Sequence, residues 1–353
     1  MACTATVRVR AAGYLLLCAA LLTAGDAVPM RAAEGRVSPN AASNDMSPQA
    51  RAYVDHALGL LQEYSIARKH TDWADLRQWT YSLARGAQTT GETHRAIDDA
   101  ARYLNIQSKL DPPETVSAKQ AVPPAEIPVP TGRVVSRRLG LLTLPERFLG
   151  TSTADRRYVE AGRAAVRRLD RTGVCGWIVD LRGNNGGSMD PMIAALAPLF
   201  GDGRLGQFVG PNGDVRTSWG IRGGQYRDEL PEGGRTETFG TSPYRLDRAD
   251  PPVAVLTDDG TASAAEATAI SFRGRPHTRS FGSPTAGVPS GNITFPLGDG
   301  AQLVITSVAE ADRTGHRYDP DSPLAPDQPT RPGRAEAAAR TWLQQQPGCV
   351  PEG

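Results

Sequence analysis

The chain has 353 residues, of which 39% are apolar and 22% charged, and its formal net charge is +1. That size allows one large or two ordinary domains. Near-neutrality excludes the strong basic field that nucleic acid or an anionic membrane surface recruits.

The amino terminus opens on the basic stretch MACTATVRVR and runs into the apolar AAGYLLLCAALLTAG. This run is shorter than the about 20 residues a membrane-spanning helix needs. Small residues then lead to Val28, the layout of an export signal over residues 1–27 cut after Ala27. A retained membrane anchor is the alternative. No later apolar run reaches about 18 residues, so the mature chain is expected to be exported, periplasmic or extracellular, without stable membrane insertion. Residues 28–46 are small and polar and read as disordered.

Residues 47–110 read as a small helical unit. Ser47 and Pro48 form a cap and first-turn proline, and Val54, Ala57, Leu58 and Leu61 recur at helical spacing. A second helix is expected with Thr71 as its cap, Gly86 at its end, and Trp73, Leu76, Trp79 and Leu83 along one side, the tryptophans in the core. A third is expected over about 92–104, carrying Ile97, Ala101 and Leu104. The prolines of residues 111–132 predict an extended linker without helix.

From residue 133 to 332 strands and helices alternate. RLGLLTLP, GWIVDLRG and PPVAVLTD read as buried strands, DRRYVEAGRAAVRRLDRTG and MIAALAPLFG as helices. Residues 201–250 form a polar, glycine-rich excursion with strands near GQFVG and DVRTSW, TRSFGSPTAG reads as a further strand, and GNITFPLG and AQLVITSVAEA read as a strand pair. RAEAAARTWLQQQ closes the chain as a helix within residues 333–353. This is an α/β pattern, whose functional groups gather in loops leaving the carboxyl ends of strands. Of four cysteines, Cys3 and Cys18 lie in the signal, leaving Cys175 and Cys349 as a disulfide pair or as two free thiols. No cysteine–histidine set has zinc-finger spacing.

Two strand-end loops carry chemistry-bearing residues. In VDLRGNNGG, adjacent glycines allow backbone N–H groups to face outward, as an oxyanion site requires; a plain glycine turn is the other reading. In VAVLTDDGTASAAEA, Ser263 stands where a helix begins, so it is either a nucleophile or an N-cap.

GWIVDLRGNNGG, VAVLTDDGTASAAEATAISFRG, FGSPTAGVPSGN and LGDGAQLVITSVAEADRTGHRYD, taken in order, resemble the tail-specific, or C-terminal processing, serine peptidases over roughly residues 130–330. The resemblance implies a crotonase/ClpP-like ββα core and cleavage of peptides or unfolded proteins without metal or cofactor. Ser263 takes the nucleophile position, and Gly186, Gly187 and Ala264 supply oxyanion amides. Many members carry a PDZ module between helical region and core, but here the proline-rich linker fills that interval.

The departures concern the base. The serine–lysine branch places lysine after the threonine-glycine turn, where this chain has Val288. The lysine-less, tricorn-like branch takes its base from a His-Ser pair at the end of the helical region. Here that pair is Gln107 and Ser108, and an amide has no useful basicity near neutral pH. Asp319 is the expected acidic member. His56, His70, His94, His277 and His316 read as surface residues. Two functions follow: an exported serine endopeptidase acting through Ser263, or a degenerate peptidase fold that binds peptides or apolar ligands without turnover.

Overall fold

The computed structural model describes residues 45–350, apart from 121–122, 124–125, 137, 148–151, 231–232, 237–238 and 240–242. The expected export signal, most of the expected disordered segment, Cys3 and Cys18 lie outside the described residues. Helix α1 (Pro48–Tyr64) begins at Ser47, whose Oγ accepts the Ala50 N–H at 3.1 Å, and it buries Val54, Ala57, Leu58 and Leu61. Helix α2 (Trp73–Leu83) is capped by Asp72, not Thr71. The Asp72 carboxylate reaches the N–H groups of Ala74 and Asp75, while the Thr71 hydroxyl donates back to Ala67 O. Trp79 and Leu83 are 40% and 46% exposed, so the apolar side expected of α2 is only half used. A single 3-10 turn (Gly91–Thr93) leads into α3 (His94–Leu104), matching the expected third helix.

Strand β1 (Lys109–Asp111) follows, and helix α4 (Pro113–Gln120) replaces the first part of the expected extended linker. Proline does not prevent this, because Pro113 occupies the first turn, where a missing N–H costs nothing. Next come β2 (Thr131–Val135), β3 (Leu139–Thr143), α5 (Ser152–Asp170), β4 (Gly176–Asp180), α6 (Met189–Ala195) and α7 (Ala197–Phe200). The excursion forms β5 (Gly203–Val209), β6 (Val215–Arg222), β7 (Gln225–Leu230) and β8 (Gly233–Thr236). The chain ends with β9 (Val253–Thr257), α8 (Ala264–Ser271), β10 (Thr278–Gly282), β11 (Ser290–Pro296), β12 (Gln302–Asp312), β13 (Gln328–Pro329) and α9 (Ala335–Leu343).

Two sheets result. One has the order β13-β10-β9-β4-β3-β2 and is parallel except for the β2–β3 pair. The other is antiparallel, β1-β12-β5-β6-β7-β8, with β11 also on β12. Every residue of β4 and β9 is buried, as expected of central parallel strands covered on both faces. On one face α5, α6 and α8 pack with Trp177, Val179 and Val255, joined by Phe208 and Trp219 of the antiparallel sheet. On the other, Ala335, Ala339 and Leu343 of α9 cover Ile178, Leu256 and Phe281. A separate core seats the helical unit on Leu303 and Ile305 of β12.

A Cys175–Cys349 disulfide ties the C-terminal tail to the start of β4 across 174 residues. In the chain-entropy picture, closing a loop of that length contributes on the order of 5 kcal/mol. No helix among the described residues is long and apolar enough to cross a membrane.

Candidate active site

Parallel pairing of β4 with β9 brings their carboxyl ends together, with Asp180 in register with Leu256. The glycine loop after β4 and the serine turn after β9 therefore emerge side by side. They are laced to each other: Ala262 N–H donates to Asn184 O at 3.0 Å, Gly183 N–H to Asp258 Oδ1 at 2.8 Å, and the Thr261 hydroxyl to Leu181 O at 3.0 Å. Gly186, at φ +97°, lies so close that an added Cβ would stand 2.6 Å from Ala262 O and 3.0 Å from Ser263 Cβ.

Ser263 immediately precedes α8 and is half-buried, with φ 53° and ψ −118°. A serine in that region costs about 1–3 kcal/mol, and such strain persists only where surroundings over-determine it. Glu266 provides that constraint. Its fully buried carboxylate accepts from Ser263 N–H (2.8 Å), Val288 N–H (3.0 Å), Gly287 N–H (3.1 Å) and the Thr285 hydroxyl (2.5 Å). One side chain thus joins the serine turn to the turn before β11.

Beside it lies Glu310, which sequence reasoning passed over although it is an acid within the apolar run of β12. Glu310 is 2% exposed, and its Oε2 has no hydrogen-bond partner among the described residues. Burial and the neighbouring Glu266 push its carboxyl well above the usual carboxylate range. Burial also raises Glu266, against the pull of its four donors. Four donors on one acid and none on the other place the charge on Glu266 and the proton on Glu310.

The expected oxyanion amides divide. Gly186 N–H is committed to Asn184 Oδ1 at 2.9 Å, which leaves Gly186 a steric rather than a donor role. Neither Gly187 N–H nor Ala264 N–H has a protein acceptor among the described residues. Asn184, 1% exposed, organises the loop by also donating its Nδ2 to Leu144 O at 2.9 Å; the asparagine pair in GNNGG was the available signal for it.

On the other side, the Gln107 side chain accepts from Ser290 Oγ at 2.8 Å and lies 3.4 Å from the Asn292 amide. Ser108 is fully buried, and its Oγ accepts Thr306 N–H at 3.0 Å. Asp319 is exposed, and among the described residues its carboxylate receives only the Asp321 N–H. None of these three hydrogen-bonds to Ser263. Instead Asp321 reaches into this network, accepting from Asn105 Nδ2 at 2.7 Å. The histidines also stand apart: His94 pairs with Asp299 at 2.7 Å, and His316 packs edge-on against Tyr318. Among the described residues no histidine or lysine bonds to the Ser263 hydroxyl, and no group of three or more metal-ligating side chains occurs.

The peptidase family S41 model matches residues 146–328. The nisin-resistance protein of Lactococcus lactis subsp. lactis is 31% identical over 304 residues, covering 85% of this chain and 88% of that protein. Among solved structures, a lipoprotein from Streptococcus agalactiae superposes with a TM-score of 0.68 at 25% identity, covering 84% of this chain and 97% of the other. The photosystem II D1 C-terminal processing protease shares the fold, with a TM-score of 0.57 at 15% identity over 86% of this chain and 99% of the other. With more than half of its length matched and its two motif loops brought together at the strand ends, this chain belongs to peptidase family S41.

Proposed function

We propose that this protein is an exported serine-type endopeptidase that hydrolyses peptide bonds through Ser263. The observation that carries the reading is the strained Ser263 at the start of α8, with two unengaged amides, Ala264 N–H on the same turn and Gly187 N–H in the adjoining glycine loop. In this scheme Ser263 Oγ bonds to the substrate carbonyl carbon, and the carbonyl oxygen takes up negative charge facing those amides. The C–N bond then breaks, the amine leaves with a proton, and water releases the acyl group. Gln107 is not a base, so the hydroxyl proton passes to water at the half-buried turn, and turnover climbs with pH.

The relative named for nisin resistance makes nisin the first substrate to test, followed by unstructured polypeptides. Cleavage and fluorophosphonate labelling by the mature protein are compared with the Ser263→Ala variant. Ser263-dependent labelling and cleavage are expected; their absence sinks the reading.

Gln107 supports a second reading, peptide binding without turnover, because its amide is tied to Ser290 where the lysine-less branch has its base. Tight nisin binding with no Ser263-dependent product would favour it.

A further inference from the structure

Besides its internal bonds and those to the serine turn, the glycine loop is held by a neighbouring strap. Residues 184–188 are bonded step by step to residues 144–147. Asn184 Nδ2 donates to Leu144 O at 2.9 Å and Asn185 Nδ2 to Glu146 Oε2 at 3.0 Å. Arg147 N–H donates to Gly186 O at 2.8 Å, and Ser188 N–H to Arg147 O at 2.7 Å. The last two bonds bracket Gly187 in a parallel bridge with Arg147. A bridge of that kind fixes the planes of the peptides on either side of Gly187, so the direction of its N–H is set by where Arg147 sits.

The strap is in turn gripped by α5. The Arg147 side chain is fully buried and its guanidinium pairs with Asp155 at 2.7 Å. One turn further along the same helix, the Tyr158 hydroxyl donates to Pro145 O at 2.8 Å. Residues three apart share a helix face, so Asp155 and Tyr158 hold both ends of the Pro145–Arg147 segment from one side.

We infer that Arg147 is a positioning residue: with Asp155 and Tyr158 it forms a clamp that aims Gly187 N–H at the carbonyl oxygen of a peptide held at Ser263. The inference rests on the peptidase reading. It extends the working site to a face of α5 that touches neither substrate nor nucleophile.

The test separates aim from binding. A peptide aldehyde becomes a tetrahedral adduct on Ser263 and needs the oxyanion amides, whereas the matching peptide alcohol needs only the cleft. In Arg147→Gln and Asp155→Asn, aldehyde affinity is expected to fall at least about tenfold, with alcohol affinity held within about twofold. Arg147→Lys restores part of the loss. Tyr158→Phe removes one hydroxyl from an otherwise unchanged ring and is expected to give a smaller loss of the same kind, which covers the case in which the buried arginine variant does not fold. Equal falls for aldehyde and alcohol, or no fall in either, overturn the clamp.

If the unsubstituted protein binds aldehyde and alcohol equally, the peptidase reading fails. Amide hydrogen exchange over residues 184–188 then decides the clamp. Faster exchange in Tyr158→Phe and Asp155→Asn supports it, and unchanged exchange overturns it.

Discussion

The two sides of the candidate site are built to different standards. On the serine side, Ser263, Glu266, Asn184 and the glycine loop share a dense set of hydrogen bonds, and backbone strain is fixed by a buried carboxylate. On the helical-unit side, Gln107, Asn105, Asn292 and Thr306 form an amide and hydroxyl network with good contacts and no titratable group that meets Ser263. A fold can keep the apparatus that stabilises an oxyanion intact while changing the residue that accepts the proton. The first depends on backbone placement through several elements, the second on one side chain.

The sharpest way to break this contrast is Gly186→Ala. The new methyl meets Ala262 O, and the site imposes on alanine a positive φ that an L-residue resists, so Ser263 labelling is expected to vanish, with a stability loss of about 2–3 kcal/mol measured by denaturant unfolding. Retained labelling would show that the two loops are not tightly laced. Gln107→His addresses the other side. A positioned base contributes about 100-fold or more, so a gain of that order in Ser263-dependent hydrolysis is expected, with a new inflection near pH 6–7. No gain would mean that more than the base has changed.

Glu310→Gln probes the boundary between the sides. A carboxyl held above its ordinary value of 4.5 contributes stability below that pH, which is lost as pH rises through its raised value. The amide removes this loss, so the variant should gain stability relative to the parent as pH rises from about 4 to 8. A pH-independent difference would show that Glu310 is not the proton carrier.

The smallest effect concerns the seat of the helical unit. Asp299, in the β11–β12 hairpin, accepts from the Tyr53 hydroxyl and pairs with His94, and its carboxyl is lowered from 3.8 to about 2. Burial alone would raise it; the hydrogen bonds from Tyr53 and His94 outweigh that cost. Its contribution is present above pH 3.8 and lost as pH falls toward 2. Asp299→Asn should therefore cost about 1–2 kcal/mol near neutrality, screening included, and nearly nothing at pH 2.

Much of this was legible in the chain. Buried strands β4 and β9 and the helix after Ser263 follow from local pattern, whereas cysteine count left Cys175 and Cys349 as a pair or two free thiols until the fold brought them together. The misreadings have physical causes. Trp79 and Leu83 have helical spacing but face solvent, because α2 needs only Leu76 and Thr80 to seat itself. Pro113 opened a helix where proline density suggested none. Beside the expected acidic member Asp319, the fold adds a carboxylate not singled out in the sequence: Asp321, two residues on, meets the helical unit. Arg147 gave no local sign, and Glu310 only that of an acid in an apolar strand, since an ion pair to α5 and a carboxyl packed beside another exist only once distant segments meet.

The disulfide has a practical consequence. It bolts the C-terminal tail to the amino end of β4, while the glycine loop leaves the carboxyl end of the same strand, about 17 Å away at ordinary strand rise. The tail and the cleft therefore lie at opposite poles of one rigid rod. Tension applied to the tail beyond Cys349 is borne by covalent sulfur at the base of the sheet before it reaches Ser263.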